Sequence, residues 1–313
     1  MIRGEHPNPQ FRRDSYICLN GKWEFEKGQF DNDFNRTLSN EICVPFCVES
    51  ELSGIWQKDF CKHCVYAKTL FFSEEDLSER LVLHFGAIDY YAQVYCNGKK
   101  VVEHKGGYTP FEADISTFVK VGNNRITVLV EDDVLSDAPS GKQSDKQDSY
   151  GCFYTRVTGI WQTVWLEKTP IKYIRNFRFF PNAKKGNIVV ELETQGKGNA
   201  EIIVTYENKE VGKVFAQVND RHFFEIQLKE KHLWEIGNGR LYDVEIRFEN
   251  DKVYSYFGLR DIAFNGKTFT LNGKPLFQRL VLDQGYNPKG LYTAEKDSDF
   301  VRDIELAKKL GFN

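Results

Sequence analysis

No stretch of the sequence approaches the roughly 18 to 20 consecutive apolar residues that a membrane helix requires. An excess of one charge is missing too: 42 Lys plus Arg stand against 45 Asp plus Glu, a formal net charge of -3. Neither nucleic acid nor a membrane is therefore expected as a partner, because both reward clustered cations. Met1–Gln10 (MIRGEHPNPQ) contains no apolar h-region, so no secretory signal is read there and a cytoplasmic location is expected. No G-x-S-x-G, H-E-x-x-H, G-x-G-x-x-G or phosphate-binding loop occurs. The corresponding hydrolase, zinc-protease and nucleotide chemistries lack their motifs, and no cofactor is expected.

Methionine is represented once, whereas 25 Phe, 15 Tyr and 5 Trp bring the aromatic share to 14%. Aromatic side chains suit half-buried pleated surfaces, and with 24 Gly they favour sheets joined by tight turns. Leu81, Leu83 and Phe85 alternate with Val82 and His84, and Ile126, Val128 and Val130 with Thr127, Leu129 and Glu131. Asn97-Gly98 lies between Ala92–Cys96 and Lys99–Glu103, a hairpin signal because a type I′ turn needs positive φ at both central residues. Asn20-Gly21 is read as a similar closure before Lys22–Phe25. No helical period is found through residue 168, so the first half is expected to be an all-β sandwich with long loops. The longest polar loop, Asp132–Ser149, reads as either functional or a solvated insertion.

After Thr169-Pro170 come short alternating runs, Ile171–Phe180, Asn187–Glu193, Ala200–Glu207, His222–Leu228 and Tyr242–Phe248. Their spacing predicts a small immunoglobulin-like sandwich ending near Gly258. The remainder holds the turns Phe264-Asn265-Gly266 and Leu271-Asn272-Gly273, then an apolar strand over Gln278–Leu282. A helix capped by Ser298 follows, its face formed by Phe300, Ile304, Ala307 and Gly311. Strand, loop and helix make one β/α unit, which cannot bury itself. It is expected to pack on the sandwich domains or on a second copy, giving a homodimer.

The seven Cys are odd in number, so at least one thiol has no partner within the chain. Cys43-x3-Cys47 and Cys61-x2-Cys64, with His63 between the latter pair, superficially suggest zinc. One pair has the wrong spacing and sits at a Val-Pro-Phe strand end, so reduced thiols without metal are the expectation. Asp132-Asp133 and Glu74-Glu75-Asp76 read as solvated loop carboxylates. Spacing alone yields no catalytic constellation.

Several segments resemble glycoside hydrolase family 2, the group of β-galactosidases, β-glucuronidases and β-mannosidases. They are Leu19–Phe25, Val44–Ser50 with Leu52–Ile55, Leu83–Asp89, Val94–Gly98, His104–Phe111 and, most specific, Tyr154–Glu167 (YTRVTGIWQTVWLE). Phe257–Arg260, Leu271–Pro275 and Leu282–Tyr286 complete the series in the family's order. The resemblance implies a mainly β chain: a jelly-roll sugar-binding domain over 1–169, an immunoglobulin-like domain over 170–258, and over 259–313 the first β/α unit of a (β/α)8 barrel. A barrel needs about 250 residues, and the family's Asn-x-Arg-x-x-His motif would begin at Asn313. The resemblance therefore implies no catalytic residue within these 313 positions and no turnover by them alone. It further implies that Asp283 and Gln284, just after barrel strand 1, grip sugar hydroxyls, as a carboxylate and an amide can. The family often has an Arg-His-Glu-type run there, and this chain has Asp283-Gln284-Gly285-Tyr286. Lys142-Gln143-Ser144 and Asp145 match a loop that family members send toward the sugar. The expected partner is a β-glycoside, the alternative role a stand-alone carbohydrate-binding or subunit-contact module.

Overall fold

The computed structural model describes residues 2–313, and their chain contacts divide into two units. The first comprises the N-terminal residues to Pro7, Ser15–Lys168 and Leu282–Glu305; the second comprises Asn8–Asp14, Thr169–Val281 and Leu306–Asn313.

The first unit contains a six-stranded sheet in the order Asn40–Val44, Gly21–Lys27, His63–Phe72, Gly122–Glu131, Tyr91–Cys96, Lys99–Lys105. A four-stranded sheet runs Ile17–Cys18, Val164–Thr169, Arg80–Phe85, Phe111–Asp114. Alternation along the strands decides what they bury: Leu81, Leu83 and Phe85 are fully buried, as are Ile126 and Val128, and all join one core with Trp23, Phe25 and Tyr66. Trp23 keeps its indole satisfied inside that core by donating from Nε1 to the Leu19 carbonyl at 2.8 Å. The Asn97-Gly98 turn forms as its composition predicts, with φ of 51° and 77°. Asn20-Gly21 does not close a hairpin. Ile17–Cys18 pairs with Val164–Thr169 instead, and the Asn20 amide ties the two segments by accepting from Val164 N–H at 3.0 Å and donating to Thr163 Oγ1 at 3.2 Å.

In the second unit a five-stranded sheet joins Ile174–Asn182, Asn187–Tyr206, Lys209–Gln227, Tyr242–Phe248 and Asp251–Phe257. The two runs expected at Asn187–Glu193 and Ala200–Glu207 are one strand of 20 residues. An irregularity between Glu193 and Lys197, with Gly196 at φ 86°, lets it bend and change partners without stopping. Its first half pairs with Ile174–Asn182 and its second with Tyr242–Phe248. The run His222–Leu228 is likewise the end of the 19-residue strand Lys209–Gln227. Ile188, Val190, Ile202, Tyr242, Ile246 and Phe248 fill the core. Arg13 is buried there as a bidentate partner of Asp251, with Nε–Oδ1 and Nη2–Oδ2 both 3.0 Å.

Beyond Gly258 the strands Ile262–Asn265, Thr268–Leu271 and Lys274–Pro275 form a small antiparallel sheet around the expected Asn-Gly turns. Gln278–Leu282 forms no strand. A parallel barrel strand needs neighbours on both edges, and none pairs with it among the described residues, so Leu280, Val281 and Leu282 stay 59–79% exposed. The helix runs Asp297–Lys309, so Ser298 lies within its first turn rather than capping it. The Asp299 carboxylate instead accepts from the Lys296 N–H at 3.3 Å. Gly311 lies past the end of the helix at φ 89°. The helix buries none of its residues: Phe300 and Ile304, on its apolar face, are 46% and 61% exposed.

Because helix stability in proteins comes mainly from packing an apolar face, amides of Asp297–Lys309 should exchange with solvent far faster than those of Gly122–Glu131. Hydrogen exchange read by mass spectrometry checks this; equal protection in a monomer would refute it.

Candidate functional site

A concavity is built within the first unit, where residues 282–294 lie against two of its loops. Thr293 anchors this segment by donating from Oγ1 to the carbonyls of Pro45 and Trp161. Ser50 donates to the Lys289 carbonyl at 2.7 Å, and the Tyr286 ring stacks on Tyr154 with centroids 3.7 Å apart. Between these anchors opens a cleft of about 490 Å³ lined by Tyr108, Gly141, Lys142, Trp161, Leu282, Gln284, Gly285, Tyr286 and Tyr292.

The hydroxyls of this wall form a directed chain. Tyr108 OH donates to the Ser140 carbonyl at 3.0 Å, and a carbonyl can only accept. Tyr108 oxygen is therefore the acceptor in its 3.0 Å contact with Tyr292 OH, which in turn accepts from Tyr286 OH at 3.0 Å. Burial holds the phenols of Tyr286 and Tyr292 neutral, pushing that of Tyr286 up to about 12. Since every proton points inward, the Tyr286 oxygen is left to accept. Lys142 Nζ lies 3.0 Å from Gln284 Oε1, which leaves the Gln284 NH2 and the remaining ammonium protons to donate. A wall of aromatic faces with adjacent donors and acceptors can stack on the C–H face of a sugar ring while binding its hydroxyls.

Of the two residues singled out from the sequence, Gln284 lines the cleft and Asp283 does not. The Asp283 carboxylate accepts from the Gly285 N–H at 2.8 Å. In the loop Asp132–Ser149, Lys142 reaches the cleft, Gln143 and Ser144 are buried, and exposed Asp145 accepts from Tyr150 OH. The aromatic lining escaped residue-by-residue reading. Tyr108, Trp161 and Tyr286 stood in segments quoted for their resemblance, and Tyr292 carried no local signal.

Beneath the wall lie three carboxylates that spacing did not bring together. Asp89 and Glu49 are each 2% exposed. Asp89 Oδ2 accepts from Gln143 Nε2 at 2.6 Å, and Glu49 Oε2 from Thr158 N–H at 2.9 Å. Glu49 Oε1 has no partner among the described residues. Asp132, expected in a solvated pair, is half-buried and accepts from Thr158 Oγ1 at 2.8 Å. Desolvation, reinforced by repulsion from Asp132 at Glu49, from Asp132 and Glu49 at Asp89, and from Asp133 at Asp132, pushes Glu49 and Asp89 up to about 7 and Asp132 to about 6. None of the three lines the cleft, but Asp89 reaches it through Gln143, whose Nε2 also donates to Tyr108 OH at 3.3 Å.

Known proteins are similar to this chain along almost its whole length. The model of the glycosyl hydrolases family 2 sugar-binding domain matches residues 28–170, and a second glycosyl hydrolases family 2 model matches residues 172–260. A β-galactosidase of Thermoanaerobacterium thermosulfurigenes is 29% identical over 91% of this chain and 43% of its own length. A β-glucuronidase of Streptococcus agalactiae is 26% identical over 94% of the chain and 52% of its own. Among solved structures, a β-glucuronidase from an uncultured Clostridium species superposes with a TM-score of 0.80 at 25% identity, covering 96% of this chain and 55% of that one. The chain belongs to glycoside hydrolase family 2. It spans about half the length of the relatives it matches.

The carboxylates generate a pH prediction. A carboxyl group with a raised native pKa binds more protons in the folded than in the unfolded state between about pH 4 and 7, so its contribution to stability grows as pH falls through that window. Groups held low, such as Asp76 at about 2 beside Lys168, oppose this only below it. The melting temperature should therefore be higher at pH 5.5 than at pH 8, and Asp89→Asn should raise it by a few degrees at pH 8 while flattening the slope. Calorimetry from pH 5 to 8.5 checks both.

Proposed function

We propose that this chain is the sugar-binding portion of a retaining β-glycosidase and that the cleft holds part of a terminal β-glycoside, a β-galactoside or β-glucuronide being the first to test. The observation carrying this reading is the aromatic cleft with Lys142 and Gln284, located in the unit that matches the family's sugar-binding model. Gln284 grips a sugar hydroxyl, and Asp283 a neighbouring one once its carboxylate leaves the Gly285 amide.

Retaining hydrolysis requires two carboxyl groups about 5 to 5.5 Å apart, one protonated and one ionised. Among the described residues no carboxylate lines the cleft, so the 313 residues bind without turning over. Residues 259–313 act as the first β/α unit of the (β/α)8 barrel that carries both catalytic groups in the family. Exposed Leu280, Val281, Ile304 and Leu310 are the surface its other strands and helices would cover. The seven free thiols accord with a cytoplasmic location.

The 313-residue protein should release no nitrophenol from nitrophenyl β-galactoside, β-glucuronide or β-mannoside. Calorimetric titration should nonetheless detect binding of one corresponding methyl glycoside, weakened about tenfold by Gln284→Ala and less by Asp283→Ala. Turnover abolished by a point change within the chain would show that the active site lies here instead. Absence of any binding, with dimerisation in size-exclusion chromatography, would favour a subunit-contact role.

A further inference from the structure

The outer face of the six-stranded sheet carries a hollow that shares no lining residue with the cleft. Side chains alternate across a sheet, and here the alternation separates core from outer face. Ala92, Val94 and Cys96 enter the core, so Tyr91, Gln93 and Tyr95 of the same strand face outward, half-buried. On the adjacent strand Gly122–Glu131, Val128 and Val130 are core residues, and Leu129 and Glu131 face outward. Register places His63, Glu131 and Tyr91 in one row across three strands, and Val65, Leu129 and Gln93 in the next.

The segment that follows Gly21–Lys27 covers part of this face. Phe30 packs with Leu38, Val65, Ala67 and Leu129 in a small cluster separate from the main core. Phe34 meets Phe30 edge-on with centroids 5.0 Å apart and Tyr95 at 4.7 Å. Arg36 ties the segment down through hydrogen bonds of 2.7 and 2.8 Å to the Glu26 carboxylate, its guanidinium over the Phe30 ring. Beside this cover lies the hollow, about 220 Å³, lined by Phe30, Tyr91 and Leu129 together with the polar side chains of His63, Gln93 and Glu131.

The polar groups are held in order. Tyr95 OH donates to Gln93 Oε1 at 3.3 Å, Gln93 Nε2 to Tyr91 OH at 3.0 Å, and Tyr91 OH to Glu103 Oε2 at 3.2 Å. One Gln93 N–H is left to donate. Neither His63 nor Glu131 makes a side-chain hydrogen bond among the described residues, so an imidazole and a carboxylate also stand open. Aromatic rings can take the C–H face of a pyranose while amide, imidazole and carboxylate bind its hydroxyls. The volume equals that of about seven waters in the liquid, room for one ring rather than a chain. Charge narrows the choice further. Glu131 accepts from hydroxyls and repels an anionic sugar, whereas the cleft has Lys142 and no carboxylate in its lining.

We propose that this hollow is a second, non-catalytic binding site that takes a single ring of a neutral saccharide. The test is amide-resolved NMR of the 313-residue protein, titrated in turn with methyl β-galactoside, methyl β-glucoside and methyl β-mannoside. At least one should shift the amides of Tyr91–Gln93 and Leu129–Glu131 with a roughly millimolar dissociation constant. Gln93→Ala and Phe30→Ala should each weaken that response about tenfold, while any shifts at Tyr286 and Tyr292, which report the cleft, stay unchanged. Glu131→Gln keeps the hydrogen-bonding shape and should admit methyl β-glucuronide, which the unaltered protein should refuse at this face. Failure of the cleft reading would remove only the Tyr286 and Tyr292 shifts and leave this response in place. No response at Tyr91–Gln93 and Leu129–Glu131 to any of the three neutral glycosides would overturn the proposal. So would a response that survives both Gln93→Ala and Phe30→Ala undiminished.

Discussion

Buried beneath the cleft, the Gln143 amide bonds in three directions: Oε1 accepts from Val157 N–H at 2.8 Å, and Nε2 donates to Asp89 Oδ2 and to Tyr108 OH. The first bond identifies which end of the amide is oxygen, and so requires the other end to donate. Tyr108 must then accept from below and from Tyr292, which orders the whole hydroxyl chain out to Tyr286. Gly107 is part of the same constraint. A Cβ there would overlap the Asp89 carboxylate, while its carbonyl accepts from Trp161 Nε1 at 2.8 Å. Backbone without a side chain thus lets the carboxylate and the indole approach from either side of one residue.

This arrangement carries an electrostatic cost. Asp89, Glu49 and Asp132 are desolvated close enough to repel one another, and Arg156 lowers only Asp132 appreciably. The second unit answers the same problem differently. There Asp251 is buried with a bidentate guanidinium from Arg13 and the Ile174 N–H at 2.8 Å, so its charge is matched. The contrast explains why the carboxylates of the first unit are lifted toward neutrality. Tension of this kind is characteristic of binding and catalytic regions more than of inert cores.

The same difference between local and distant partners separates what could be read in advance. Positive φ at Asn97 and Gly98 is a property of two adjacent residues, and the turn is where composition indicated. The alternation of Leu81, Leu83 and Phe85 likewise identified a buried face. The bent strand Asn187–Tyr206 reads locally as two runs because its alternation breaks near Gly196, where the strand merely changes partners. Gln278–Leu282 is apolar like a strand yet forms none, because a strand exists only with a neighbour to pair with.

The cleft follows the same rule. Resemblance in ordered segments identified the family and directed attention to Gln284 and the loop around Lys142. It did not predict that Gln284 and Lys142 would meet, since they stand 142 positions apart. Sequence by itself determined the mainly β character, the short-range turns and the membership in family 2, because periodicity, turn chemistry and motif order are written along the chain. Only the tertiary structure decided which tyrosines share a wall and which carboxylates lose their water. Those outcomes depend on distances between residues far apart in sequence, set by strand pairing and core packing.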